Sequence, residues 1–154
     1  MIAKRPPIWR MLILASIIIA FDWLTKRWVL HALALGESRP VTSFFSLTHV
    51  HNTGSAFGLF QGNNQALLIL ALLILGFLIY SARGLYEEAG RWGEIGVGLV
   101  LGGAVGNVLD RFQFGHVVDF LDFRIWPVFN IADSAISVGA ACLALGLFLN
   151  RRNS

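Results

Sequence analysis

The sequence predicts an all-α membrane protein: a bundle of four transmembrane helices with a small extracytoplasmic β-sheet in the first outer loop. Three observations predict it. Of the 154 residues, 56% are hydrophobic, against about 45–50% apolar in soluble domains, and mean hydropathy is +0.67. The excess gathers into long runs, and about 20 apolar residues cross a bilayer. Basic residues sit at the ends of those runs rather than in one patch. The length suits a single domain over 1–154 and leaves no room for a soluble domain beside the bundle.

Span one covers about 8–30. Its basic start, apolar core and Ala32-Leu33-Ala34 triplet imitate a signal peptide. Asp22, Lys26 and Arg27 interrupt the approach to that triplet and the apolar run is too long, so a retained span is expected. The first outer loop follows, to about Gln65. Its segment from Ser43 to His51 is rich in aromatic and β-branched residues and reads as strand, and Asn52-Thr53-Gly54 reads as a turn. A small sheet is expected on the outer membrane surface, with Phe44, Phe45, Leu47, Phe57 and Phe60 in the headgroup layer. Span two, about 66–82, carries no charge and supplies an apolar wall. Span three is about 94–111, a second outer loop runs to Pro127, and span four is about 128–149.

Charge sets the orientation. Lys4, Arg5 and Arg10 precede span one, Arg83 and Arg91 lie between spans two and three, and Arg151 and Arg152 follow span four. Alternating spans put these segments on one side, which the positive-inside rule makes cytoplasmic. Both termini are then cytoplasmic. The net charge of +3 and pI of 9.6 belong to this flanking pattern, so nucleic acid is not expected as a partner. The single cysteine, Cys142, excludes a disulfide within the chain.

Depth singles out the functional candidates. At about 1.5 Å per helical residue, Asp22 lies about 18 Å from the inner face and Asn107 about 20 Å, while Asp133 lies about 7 Å below the outer end of span four. Asp110 and Arg111 close the outer end of span three, and Asp119 lies in the second outer loop. The polar residues therefore converge toward the outer leaflet, while the inner halves are nearly pure hydrocarbon.

Asp119 and Asp133 have a possible chemistry, because a carboxylate in or beside hydrocarbon is costly and usually functional. Two carboxylates in contact cannot both ionise easily, so one can activate water while the other holds a proton. Amide hydrolysis needs both tasks. On spacing alone another reading stays open, with Asp133 as a helix-start residue and Asp119 as a solvated loop acid. Asn130, three residues before Asp133, either orients the carboxylate or the substrate backbone, or caps span four. Arg111 shares a helix face with Asn107 and either holds a peptide carbonyl, balances the charge of the two acids or pairs with Asp110, and the ion pair is the reading favoured for Asp110. Asp22 and Lys26, spaced i,i+4, read as an ion pair. No HExxH is present, His49 and His51 share a strand face without further ligands nearby in sequence, and no metal or cofactor is expected. A Ser–Lys dyad lacks a lysine beside a serine. A small transporter or proton-relay bundle using the same acids is the alternative, but a relay needs polar residues through the full depth.

Five motifs occur in order: Phe21-Asp22-Trp23-Leu24-Thr25-Lys26, Asn52-Thr53-Gly54-Ser55-Ala56-Phe57, Gly106-Asn107-Val108-Leu109-Asp110-Arg111, Val117-Val118-Asp119-Phe120 and Phe129-Asn130-Ile131-Ala132-Asp133. Together they resemble the bacterial lipoprotein signal peptidase (signal peptidase II) family over nearly the whole chain. The resemblance implies an aspartic endopeptidase without metal, blocked by globomycin, in the bacterial cytoplasmic (inner) membrane. Its implied substrate is the diacylglyceryl-modified prolipoprotein, cut just before the lipidated cysteine. The implied catalytic dyad falls on Asp119 and Asp133. The supporting and substrate-contacting positions fall on Asp22, Lys26, Asn52, Gly54, Asn107, Arg111 and Asn130. A monomer in contact with membrane lipid is expected.

Overall fold

A computed structural model describes residues 8–54 and 63–152. Along the chain these form α1 (Ile8–Ala32), β1 (Ser38–Pro40), β2 (Ser46–Asn52), α2 (Asn64–Phe114), β3 (Val117–Asp122) and α3 (Ile131–Arg152). All three helices are long and apolar enough to cross a membrane. Their outward faces carry large apolar side chains such as Ile17, Leu73, Phe77 and Phe148, as hydrocarbon surroundings allow.

The linker expected between spans two and three is itself helical. Helix α2 runs through it for 51 residues and is broken at Gly90, whose φ of 56° and ψ of −130° are not helical. Only glycine adopts that conformation without strain. The two limbs fold back on each other. Leu78 and Val97 share one core cluster with Met11, although 19 residues of straight helix would separate them by about 28 Å. At the far end the Asn64 side chain donates to the Arg111 carbonyl at 3.2 Å. Asn63 caps the start of α2 by accepting from the Ala66 N–H. Gly115, at φ 77°, ends it in the left-handed conformation.

The second limb is the central helix, and small residues let its neighbours close in, as in membrane helix packing generally. A methyl group at Gly102 would lie 2.9 Å from the Ala15 carbonyl of α1, and one at Gly96 2.8 Å from the Gly139 carbonyl of α3. At Gly103 it would meet the Ala132 carbonyl.

The sheet has the order β1-β2-β3, all antiparallel. It is not confined to the first outer loop as expected: its third strand comes from the second. Pairing of Val50 with Asp119 and Asn52 with Val117 ties the loops together. The pattern Val-Val-Asp-Phe has no alternation because Val117 to Phe120 are all buried. Val118 and Phe120 pack on Val29 and Leu33 at the end of α1, which fixes the sheet on the bundle. Phe44 is exposed while Phe45 and Leu47 are partly covered. Phe57 and Phe60 lie outside the described residues.

Candidate active site

Asp119 and Asp133 reach one cavity from different elements. Asp119 sits on β3 rather than in a loop, 1% exposed, and Asp133 is in the first turn of α3. The cavity is about 670 Å³, and Asn52, Gly54, Asn107, Arg111, Asp119 and Asp133 all line it.

Three carboxamides hold the acids, and each has its oxygen already engaged. Asn52 ends β2, and its Oδ1 accepts from the Gly54 N–H at 3.0 Å. Its Nδ2 therefore faces Asp119 Oδ2, at 2.9 Å. Asn130 Oδ1 accepts from the Asp133 N–H at 2.8 Å, while its Nδ2 donates to Asp119 Oδ1 at 2.7 Å. Asn107 Oδ1 accepts from Lys26 Nζ at 3.3 Å and Asn130 Nδ2 at 3.2 Å, so its Nδ2 donates to Asp133 Oδ1 at 2.7 Å. An amide has one acceptor oxygen and one donor nitrogen, so occupying the oxygens turns three NH2 groups onto the two carboxylates.

Asn130 contacts both the helix start and the acids. It caps α3, reciprocally with Asp133, whose Oδ2 accepts from the Asn130 N–H at 3.3 Å. It also touches both acids, joining the pair directly. Burial, and then the repulsion of Asp133, push the Asp119 carboxyl up from 3.8 to about 7, against the lowering pull of Asn52, Asn130 and Lys26. The pair thus holds a proton near neutral pH in a site whose side-chain donors are chiefly amides.

Arg111 does hold a peptide carbonyl, that of Gly54, with Nη2 at 3.2 Å, and Nη1 reaches the Asn107 carbonyl at 3.5 Å. It does not pair with Asp110, which corrects the expected ion pair. Asp110 points away, to Lys26 Nζ at 2.9 Å. A side chain one residue along a helix faces about 100° round the axis, so neighbours in sequence seldom meet. The Asp22–Lys26 pair forms as expected, at 2.7 Å. It lies behind the cavity wall, where Lys26 is 2% exposed.

The described residues of the five motifs thus gather at and behind one cavity. A model of the signal peptidase (SPase) II family matches residues 14–149. The chain belongs to that family. A lipoprotein signal peptidase of Gloeobacter violaceus is 50% identical over 150 residues, covering 95% of this chain and 84% of the relative. One from a Nostoc species is 48% identical over 136 residues, covering 86% and 85%. A bacterial membrane enzyme solved by the in meso method at 2.3 Å resolution superposes with a TM-score of 0.88 at 28% identity, covering 100% of this chain and 96% of that one. A second such structure, at 1.9 Å resolution, gives a TM-score of 0.81 at 29% identity.

In this signal peptidase II chain one cavity wall escaped the sequence reading. Trp126, Pro127, Val128 and Phe129 form it, and Ile136 and Ser137 of α3 also line the cavity. Phe129 is held there by backbone bonds to Leu121, with its N–H donating at 3.1 Å and its carbonyl accepting at 2.7 Å. The aromatic–proline pair was visible, but no periodicity places a loop that borrows its register from a strand eight residues earlier. Among the described residues, no group of three or more His, Cys, Asp or Glu side chains is placed to hold a metal ion.

Proposed function

We propose that Asp119 and Asp133 are the catalytic pair with which this signal peptidase removes signal peptides from prolipoproteins. The observation that carries the reading is the pair itself: two carboxyls on one cavity, bridged by Asn130, with Asp119 titrating at about 7. One carboxyl is then ionised while the pair keeps a proton. The ionised acid takes a proton from a water molecule, which attacks the scissile carbonyl, and the other acid gives its proton to the carbonyl oxygen. The intermediate collapses as its oxygen returns that proton to the acid that gave it and re-forms the carbonyl, the first acid passes the proton taken from water to the departing nitrogen, and the peptide bond breaks. Asn52, Asn107 and Asn130 hold the carboxyls in place, and Arg111 and Gly54 shape the cavity edge that receives the substrate backbone.

The substrate proposed is the diacylglyceryl-modified precursor, cut before its lipidated cysteine. The two limbs of α2 are proposed as separate spans, giving four in all, with both termini cytoplasmic and the site at the outer leaflet of the inner membrane. The basic flanks at Arg10, Arg83, Arg91, Arg151 and Arg152 support this orientation, and the outer-leaflet site suits a cysteine held by its acyl chains. A monomer in contact with lipid completes the reading.

Cleavage of a lipidated precursor by Asp119→Asn and Asp133→Asn, made separately, tests the pair. Each is expected to fold and to lose nearly all release of signal peptide, and normal release by either variant would refute the pair. Matched precursors with and without the diacylglyceryl group test the substrate, since equal cleavage of both contradicts it.

A further inference from the structure

Behind the cavity wall, Lys26 Nζ lies between two carboxylates, Asp22 Oδ2 at 2.7 Å and Asp110 Oδ2 at 2.9 Å. Each carboxylate also accepts a backbone N–H from another element. Asp110 Oδ2 accepts from Val118 at 3.1 Å, and Asp22 Oδ1 accepts from Ala132 at 2.9 Å. Val118 and Ala132 immediately precede Asp119 and Asp133. The two grips are therefore equivalent: each takes the chain one residue ahead of an acid, and Lys26 joins them. Consecutive Cα atoms are a fixed 3.8 Å apart, so holding one N–H leaves the next residue little freedom. A continuous chain of contacts runs Val118, Asp110, Lys26, Asp22, Ala132. Gly106 makes room for it, since a methyl group there would stand 2.7 Å from Asp22 Oδ2. Neither Asp110 nor Lys26 nor Asp22 lines the cavity.

We propose that Asp110 is a positioning residue for the reaction: with Lys26 and Asp22 it sets the separation of Asp119 and Asp133 by gripping the backbone ahead of each. This rests on the assignment of those two acids as the catalytic pair. A structural ion pair and a positioning grip make opposite demands on Asp110. An ion pair needs the charge. The grip needs an acceptor oxygen at the present Oδ2 position, because that one atom serves both the Val118 N–H and Lys26.

The experiment compares Asp110→Asn with Asp110→Glu in the full-length purified enzyme on a lipidated prolipoprotein. Assays run well below both unfolding temperatures. Asparagine keeps the oxygen and loses the charge, whereas glutamate keeps the charge and moves the oxygen by a methylene. The expected order of kcat is wild type, then Asn, then Glu, with KM unchanged because the cavity lining is intact. A misplacement near 1 Å costs about 100-fold in rate, the scale expected for Glu, with Asn recovering at least about tenfold of it. Glutamate equal to or better than asparagine overturns the proposal, as does a wild-type kcat in both. Asp119→Asn is assayed alongside. If that variant cleaves normally, the catalytic assignment fails whatever Asp110 does; if it is inactive and Asp110→Glu is not, only the positioning role fails.

Discussion

At Asn130 a single side chain serves two tasks that substitution can separate. Alanine removes both the helix cap, worth about 1 kcal/mol, and the donor to Asp119. Aspartate is as good a cap but brings a third carboxylate against the pair. Asn130→Ala should therefore lower both thermal stability and cleavage rate. Asn130→Asp should recover the helix start without recovering cleavage, and equal recovery of both would mean the amide does nothing for the acids. The proton on Asp119 gives a pH prediction. With one proton held until about pH 7, kcat/KM should fall as pH rises past that value and the pair loses it. Stability carries the same sign. Between pH 4 and 7 the folded protein retains a proton that the unfolded chain has lost, so stability declines as pH rises through this window. In Asp119→Asn that decline should flatten, which thermal unfolding at pH 5 and pH 8 would reveal.

Helices and strands differ in how far the sequence revealed them. Hydropathy located α1 and α3 and both limbs of α2, because hydrocarbon length is written directly in composition. The helical continuation through Arg83 to Gly93 was hidden, because its charged, glycine-bearing residues read as a linker while the backbone remains helical except at Gly90. β3 was missed as a strand for another reason. Its partner is β2, from Ser46, paired with Asp122, to Asn52, paired with Val117, and pairing across so long a stretch of chain leaves no local pattern. Motif order and depth single out the residues proposed for the site, but the sequence pairs Asp110 with its neighbour Arg111, because its actual partner, Lys26, belongs to another helix. Close helix contacts make a further prediction. Gly139→Leu forces a side chain against Val100 and the Gly96 carbonyl, and overpacking of this kind costs about 1–3 kcal/mol. A lower unfolding temperature is expected; an unchanged one would mean that α2 and α3 separate without cost.

Among the described residues the buried polar network gathers at the sheet end of the bundle, whereas a groove of about 440 Å³ between α1 and α2 is lined almost wholly by hydrocarbon side chains. The orientation proposed above from the basic flanks can be tested directly. With Cys142 replaced by alanine, a cysteine at Ser38 should react with an impermeant maleimide added outside intact cells' inner membrane. One at Glu88, beside the Gly90 break, should react only from the cytoplasm. Labelling of both from the same side would contradict the fold-back of α2 as two spans.

The orientation of the three carboxamides has a consequence for how the site exchanges with water. Amide NH2 groups hold their hydrogens and do not relay them. The groups that fix each amide's direction, the Lys26 ammonium and the backbone N–H of Gly54 and Asp133, are donors that cannot turn round. No path of reversible donors runs from the acids through these contacts into the bundle. Among the described residues, these amide contacts therefore offer the proton of the pair no route into the bundle. A precursor seated against the acids shields them from bulk water, so the number of protons the pair carries into a turnover is set by the pH that the free enzyme meets.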